Sequence, residues 1–164
     1  DFGNETVIYD RSVVDELMLA YAMTIHKSQG SEFKVVIMPI YEELVSMLDR
    51  NLIYTGLTRA KEKAVFIGII DGLAVGTIRV EVLPDGCGYI SRFGVRLNYH
   101  NIGVGQSLMN VVDKYLESKN VKKVCLHTAS GYRKLMRFYY GVGFHVDSTS
   151  KDRGYTRALM IKEL

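Results

Sequence analysis

The chain has 164 residues, room for one large domain or two very small ones and too little for a complete motor, channel or modular enzyme. Apolar residues make up 48% and charged ones 24%, with two prolines, which excludes disorder as the main state. The net charge of +3 is uneven, because residues 1–63 hold seven Lys/Arg against ten Asp/Glu and residues 64–164 hold fourteen against eight, so an anionic ligand is expected on the second part.

Thr6–Tyr9 is a short β-prone run, and Asp10-Arg-Ser12 reads as a turn or cap. Val13 to Gln29, rich in Leu, Ala and Met and ended by Gly30, fits one helix or a strand followed by a helix. Lys34–Met38 is a strand closed by Pro39, and Glu42–Lys61 carries apolar residues at helical spacing, so a β-α-β unit ends in the strand Ala64–Ile70. That run is the longest apolar stretch, far short of the roughly 20 residues of a membrane-spanning helix. Asp71-Gly72 predicts a two-residue hairpin turn into Leu73–Leu83, and Pro84-Asp-Gly86 a second turn into Gly88–Leu97. Gly103–Lys119 is an amphipathic helix with Val104, Leu108, Val111, Val112, Tyr115 and Leu116 on one face. A strand at Val121–His127, a helix at Gly131–Tyr140 with Leu135, Met136 and Tyr139 inward, and strands at His145–Asp147 and Tyr155–Lys162 complete the pattern. The opening Asp-Phe-Gly-Asn has neither the basic patch nor the apolar run of a signal peptide. Cys87 and Cys125 make neither a metal-ligand spacing nor a disulfide framework. A cytoplasmic protein without a metal site is expected.

Between a strand and the amphipathic helix lies Val95-Arg-Leu-Asn-Tyr-His-Asn-Ile-Gly-Val-Gly-Gln-Ser-Leu108. A glycine-spaced loop at a helix N-terminus presents main-chain N–H groups, and the positive end of the helix dipole, to a phosphate, although the same loop can serve as a structural turn. With Tyr132-Arg-Lys-Leu135-Met-Arg-Phe138-Tyr139-Tyr-Gly-Val-Gly143-Phe144 further on, residues 64–164 resemble the GNAT family of acetyl-CoA-dependent N-acetyltransferases. The family's pyrophosphate loop, Arg/Gln-x-x-Gly-x-Gly/Ala, corresponds to His100-Asn-Ile-Gly103-Val-Gly105, with His100 in place of Arg or Gln. Tyr132 and Leu135 stand where the family commonly has Asn and Ala. The resemblance implies a mixed, mostly antiparallel twisted sheet flanked by helices. It also implies that the main chain around Phe93 to Val95 holds the pantetheine arm. The N–H groups of Asn101, Ile102, Gly103, Val104, Gly105 and Gln106 would then cradle the pyrophosphate, with His100 and Tyr132 alongside, and Tyr139 would protonate the departing CoA thiolate. Glu81, His100 and His127 are candidates for the general base, with Glu81 the first guess.

Leu19-Ala-Tyr-Ala-Met-Thr-Ile-His-Lys-Ser-Gln-Gly-Ser-Glu-Phe33 resembles motif V of RecD-like superfamily 1 DNA helicases, and Arg50-Asn-Leu-Ile-Tyr-Thr-Gly-Leu-Thr-Arg-Ala-Lys-Glu-Lys63 is similar to their motif VI. This likeness implies Thr24, His26 and Ser28 near single-stranded DNA, Gly30 and Glu32 near a nucleotide, and Arg59 as the finger on the γ-phosphate. No G-x-x-x-x-G-K-[ST] occurs in the sequence, so Arg59 has no phosphate in this chain to act on and the segment is expected to serve as fold-building strand and helix.

The two resemblances meet near Ala64–Ile70. The expectation is an α/β (α+β) chimera in which a helicase-like part, 1–63, supplies a β-α element and a GNAT-like part, 64–164, supplies the rest, packed as one composite domain. Three functions follow: acetyl-CoA binding with transfer to an unknown amine, a folded chain without activity, and a single-stranded DNA-binding module. The expected state is a monomer or homodimer.

Overall fold

A computed structural model describes residues 8, 10, 22–41, 55–56 and 58–164. The expected strand at Thr6–Tyr9, most of the turn and helical reading between Asp10 and Gln29, and most of the helix expected over Glu42–Lys61 lie outside the described residues.

The strands are β1 (Phe33–Tyr41), β2 (Ala60–Ile70), β3 (Leu73–Val82), β4 (Gly88–Val95), β5 (Lys123–Ala129), β6 (His145–Ser150) and β7 (Arg157–Glu163). They form a seven-stranded sheet in the order β1-β2-β3-β4-β5-β7-β6. The β1–β2 and β4–β5 pairs are parallel and the other four are antiparallel, as the mixed but mostly antiparallel expectation requires. Two helices, α1 (Val104–Ser118) and α2 (Arg133–Gly141), follow β4 and β5. Among the described residues no helix is long and apolar enough to cross a membrane.

Asp71 and Gly72 have φ of +49° and +72°, the left-handed pair that a two-residue hairpin of the type matching strand twist demands. Pro39 does not end β1: the strand runs on to Tyr41. Among the described residues β1 lies at the sheet's edge and pairs with β2 alone, and an edge strand tolerates a residue without an N–H on its open side. Ala60 and Lys61, expected as the tail of a helix, belong to β2, because β1 offers a parallel partner from Phe33 opposite Ala60 onward and ladder pairing overrides local propensity. The part of Val13–Gln29 that is described contains a single short 3-10 turn, His26–Ser28.

One face of the sheet is covered by α1, which buries Leu108, Met109, Val111, Val112, Tyr115 and Leu116. Against them lie Ala64 and Phe66 of β2, Ile78 and Val80 of β3 and Val124 and Leu126 of β5, all 0–2% exposed. Apart from Ala64, each such side chain contributes about 1.5–3 kcal/mol when fully buried, an upper bound against a compact unfolded state. Met38 and Ile40 of β1 join the same core, and Met38 pairs in register with Phe66. At the far end of α1 the Lys119 ammonium donates to the carbonyl of Ala60 at 3.0 Å, tying the helix C-terminus to the start of β2.

The β4–β5 pairing spans only Gly88↔Val124, Tyr89↔Cys125 and Ile90↔Leu126. Beyond Ile90 the two strands diverge. Arg92, at φ +53°, marks a bulge: two residues of β4 oppose one of β3 where the register shifts between Thr77 and Arg79. A bulge adds local twist and bend, and here it falls where β4 leaves β5, so it aids in opening a V-shaped gap in the middle of the sheet.

Candidate active site

The gap widens into a cleft of about 810 Å³ whose walls come from three elements: Phe93, Gly94 and Val95 of β4, the loop from Tyr99 to Gln106 that leads into α1, and the first turns of α2 from Tyr132 to Phe138. Its floor is aromatic. The rings of Phe93 and Phe138 stack with centroids 5.3 Å apart and 17° between planes, and Tyr139 stands behind them at 6.2 Å and 5.6 Å. Gly105 permits this closure, since a Cβ there would come within 3.2–3.3 Å of both phenylalanine rings.

The loop ahead of α1 turns on two left-handed residues. Asn101 and Gly103 are both left-handed, at φ +62° and +94°, and flank Ile102, so successive N–H groups turn toward one side. Gly103 occupies the N-cap without a side-chain cap, and the first main-chain bond of the helix is Ser107 N–H to the Gly103 carbonyl at 2.9 Å. Among the described residues, none of the N–H groups from Asn101 to Gln106 donates to a main-chain carbonyl. Asn101, Gly103, Gly105 and Gln106 of this stretch line the cleft, at the positive end of the helix dipole where orphan donors gather. Arg133, Lys134 and Arg137 face the same space from α2. A doubly charged phosphate group would meet main-chain donors on one wall and guanidinium and ammonium groups on the other.

Of the residues expected from the sequence to hold a cofactor, Phe93, Val95, His100, Asn101, Gly103, Gly105, Gln106 and Tyr132 line this cleft. Ile102 and Val104 do not: Ile102 is 63% exposed, and the Val104 side chain packs toward Gly76 of β3, so only their N–H groups bear on the loop. His100 is turned inward to its own chain, its Nε2 donating to the Val95 carbonyl at 2.8 Å, which fixes the proton on Nε2. Tyr139 is 5% exposed, and burial pushes its phenol up to about 12. Glu81 lies one strand away from the gap, opposite Tyr89, and its two oxygens are held by Arg79 at 3.0 Å and Lys63 at 3.4 Å. His127 follows the last paired residue of β5, at the apex of the V, and its Nδ1 is 3.3 Å from the Tyr89 hydroxyl. Burial first, then the charge of Arg157, lowers the pKa of the His127 imidazole.

The three cations of α2 were not anticipated, although Arg133 and Arg137, neighbours on the helix surface at i, i+4, carry the signal. Nor was the approach of Cys87 to Cys125, whose sulfurs are 3.2 Å apart. Strand pairing between residues 38 apart leaves no mark on either cysteine's local sequence.

The helicase-like residues have a different setting. The Arg59 guanidinium donates from Nε to the Thr55 carbonyl at 3.1 Å, from Nη1 to the Ser31 carbonyl at 3.3 Å and from Nη2 to the Thr58 hydroxyl at 3.1 Å. Glu32 pairs with Lys61 at 2.6 Å, which holds the carboxyl below the usual carboxylate range. Ser28 is buried and donates to the Ile25 carbonyl, and the Thr24 hydroxyl accepts the Lys27 N–H. His26 and Gly30 sit in the short turn around them, with Gly30 at φ +81°.

Solved structures similar to this chain belong to the GNAT acetyltransferases, and the likeness establishes the fold. The PaiA N-acetyltransferase of Thermoplasma acidophilum, solved with coenzyme A, superposes with a TM-score of 0.57 at 19% identity over 63% of this chain and 62% of that one. Naa50 of Arabidopsis thaliana, solved with a bisubstrate analogue, gives 0.51 at 25% identity over 57% and 68%. The N-terminal part has a second likeness, seen in sequence. Residues 19–67 match the UvrD-like helicase C-terminal domain. The RecD subunit of the RecBCD enzyme of Haemophilus influenzae is 48% identical over 62 residues, 38% of this chain and 9% of that protein. The ATP-dependent RecD2 DNA helicase of Deinococcus radiodurans is 43% identical over 65 residues, 35% of this chain and 9% of that protein. The chain thus spans about a tenth of the length of the helicase relatives it matches, and it joins a RecD-like segment to a GNAT acetyltransferase fold.

Proposed function

We propose that the chain binds acetyl-CoA in the cleft between β4 and β5 and passes the acetyl group to an amine. The row of unpaired N–H groups from Asn101 to Gln106, facing a cleft walled by Arg133, Lys134 and Arg137, carries this reading. The pyrophosphate lies on those N–H groups. The pantetheine arm runs along β4, where Gly94 pairs with Thr77 of β3 and neither Phe93 nor Gly94 pairs with β5. His100 already occupies the Val95 carbonyl, so Val95 contributes its N–H side and the shape of the wall.

Acetyl-CoA supplies a thioester whose acyl carbon an amine can attack. His127 receives the amine proton: it stands at the apex of the V, its pKa is lowered by partial desolvation and the charge of Arg157, and it is oriented by Tyr89. Glu81, the first guess from sequence, is a weaker candidate because two cations hold its oxygens one strand away from the gap. Tyr139 keeps its proton at neutral pH. An ordinary alkyl thiol ionises near about 8.5, so full transfer from a phenol near about 12 would run uphill by roughly 5 kcal/mol. Tyr139 therefore serves the departing thiolate as a hydrogen-bond donor. In the same proposal the helicase-like part, 1–63, has become structural and packs with 64–164 as one composite domain; the β1–β2 pairing and the internally satisfied Arg59 support this.

Titration calorimetry with acetyl-CoA tests the proposal. Saturable heat with a micromolar dissociation constant is expected, weaker for a CoA lacking its 3′-phosphate, and absence of heat at millimolar ligand refutes it. A turnover assay with a panel of primary amines then identifies the acceptor.

A further inference from the structure

On the sheet face away from α1, at the base of the V, lie two thiols that the proposed chemistry leaves unused. Cys87 immediately precedes β4, and Cys125 in β5 pairs in register with Tyr89, so the two side chains project from neighbouring strands on one face. Their sulfurs are 3.2 Å apart and both are free thiols. A disulfide needs about 2.05 Å, so the sulfurs must close by roughly 1 Å, which takes a shift of the side chains and of the strand end at Cys87. Access is from one side: Cys87 is half-buried and Cys125 9% exposed, and both line a shallow depression with Lys122, Lys123 and Asp85.

We infer that Cys87 and Cys125 form a reversible dithiol–disulfide pair, oxidised by a small anionic disulfide of the glutathione class, that pins β4 to β5 at the closed base of the cleft. The more exposed Cys87 acts first. Its thiolate attacks one sulfur of glutathione disulfide, that S–S bond breaks, and one glutathione thiolate leaves with the electron pair and takes up a proton. Cys125 then gives its proton to solvent and attacks the Cys87 sulfur, and the second glutathione thiolate leaves and is protonated. Two protein thiols are oxidised and one glutathione disulfide is reduced to two thiols. Lys122 and Lys123 attract the anionic reagent to the depression. Burial, with the Cys87 thiol beside it, pushes the Cys125 thiol up to about 12, so the second step is the slow one and the mixed disulfide on Cys87 precedes the internal bond. Because β4 and β5 share only three register positions, one covalent link there fixes the hinge from which the V opens.

The purified full chain is incubated with oxidised glutathione, quenched with N-ethylmaleimide under denaturing conditions, and weighed intact. The expected product is a monomer lighter than the reduced chain by two hydrogen atoms, unalkylated, and returned to two alkylated thiols by dithiothreitol. Cys125→Ser is expected to stop at one bound glutathione, and Cys87→Ser to stay unmodified over the same time. Wild-type protein that keeps two alkylatable thiols, that holds glutathione permanently, or that crosslinks between chains overturns the inference, and the wild-type measurement decides it even where a variant fails to fold. None of these readouts involves acetyl-CoA, so this inference and the proposed function stand or fall separately.

Discussion

Arg59 and the loop from Asn101 to Gln106 each carry a known family's signature for meeting phosphate, and the chain treats them in opposite ways. The guanidinium of Arg59 spends its donors on Thr55, Ser31 and Thr58, and the neighbouring Glu32 is closed by Lys61. The N–H groups of Asn101 to Gln106 have no main-chain acceptor among the described residues and lie beside a cleft lined with cations. Motif resemblance alone ranks the helicase-like segment at least as high, because it is long and specific. Hydrogen-bond accounting separates the two, since a group already satisfied within its own chain gains little from a ligand, whereas an unspent donor at a helix N-terminus gains a charge-assisted bond.

The largest expected effect tests whether the two regions are one body. Phe66 is 0% exposed, touches the Tyr115 ring edge-on at 6.2 Å, and pairs in register with Met38 of the helicase-like strand. Phe66→Ala should cost about 3–5 kcal/mol. If the regions fold together, chemical denaturation followed by tyrosine fluorescence and by circular dichroism gives coincident single transitions, both shifted by the substitution; two separated transitions would break the comparison at its root.

Next in size is an alkaline effect at Tyr139. Its phenol ionises near 10 when unfolded and is pushed up to about 12 when folded, so folding favours the protonated form. The stabilisation is complete below pH 10 and is lost as pH rises toward 12, amounting to about 2–3 kcal/mol. Tyr115, raised by burial in the same direction, adds to that limb. Tyr139→Phe should flatten the decline without removing it, as read from urea midpoints between pH 9 and 12. In turnover it should lower kcat by roughly 10²-fold and leave KM for acetyl-CoA nearly unchanged; an unaltered kcat would make the residue a core tyrosine only.

Gly103→Val comes third. At φ +94° a β-branched residue is strained by about 1–3 kcal/mol, although its Cβ would meet nothing within 4 Å. The strain rotates the Gly103 and Val104 N–H groups off the cleft, and acetyl-CoA affinity should fall at least tenfold by calorimetry, about 1.4 kcal/mol. Affinity unchanged in a folded variant would place the anion elsewhere.

Much of this geometry was legible in the sequence. The Asp71-Gly72 turn, the α1 face from Val104 to Leu116 and the strand–loop–helix around Gly103 are local features, and local chemistry decides them. Non-local pairing decided the remainder. Ala60 and Lys61 end the helical pattern of Glu42–Lys61 but join β2 because β1 lies beside them, and Pro39 is admitted inside β1, which among the described residues pairs with β2 alone. The same reason hid the meeting of Cys87 with Cys125 and the place of His127 at the apex, each fixed by three register pairs between β4 and β5.

Arg59→Ala gives the smallest effect and sharpens the comparison most. The side chain is half-buried and its three hydrogen bonds run to the Thr55 turn and the Ser31 loop, so its loss should lower stability by only about 1–2 kcal/mol. Its own main-chain carbonyl accepts the Phe33 N–H at 2.8 Å, a bond the substitution keeps, so β1 should stay in register with β2. If the guanidinium is only a clasp, acetyl-CoA affinity and single-stranded DNA anisotropy at low salt are the same for Arg59→Ala and wild type, and the melting temperature alone moves. If instead it still meets phosphate, an oligonucleotide-dependent anisotropy signal present in wild type would drop in the variant at equal stability. A donor spent within the chain predicts the first outcome, because the phosphate would have to displace three existing bonds before forming its own.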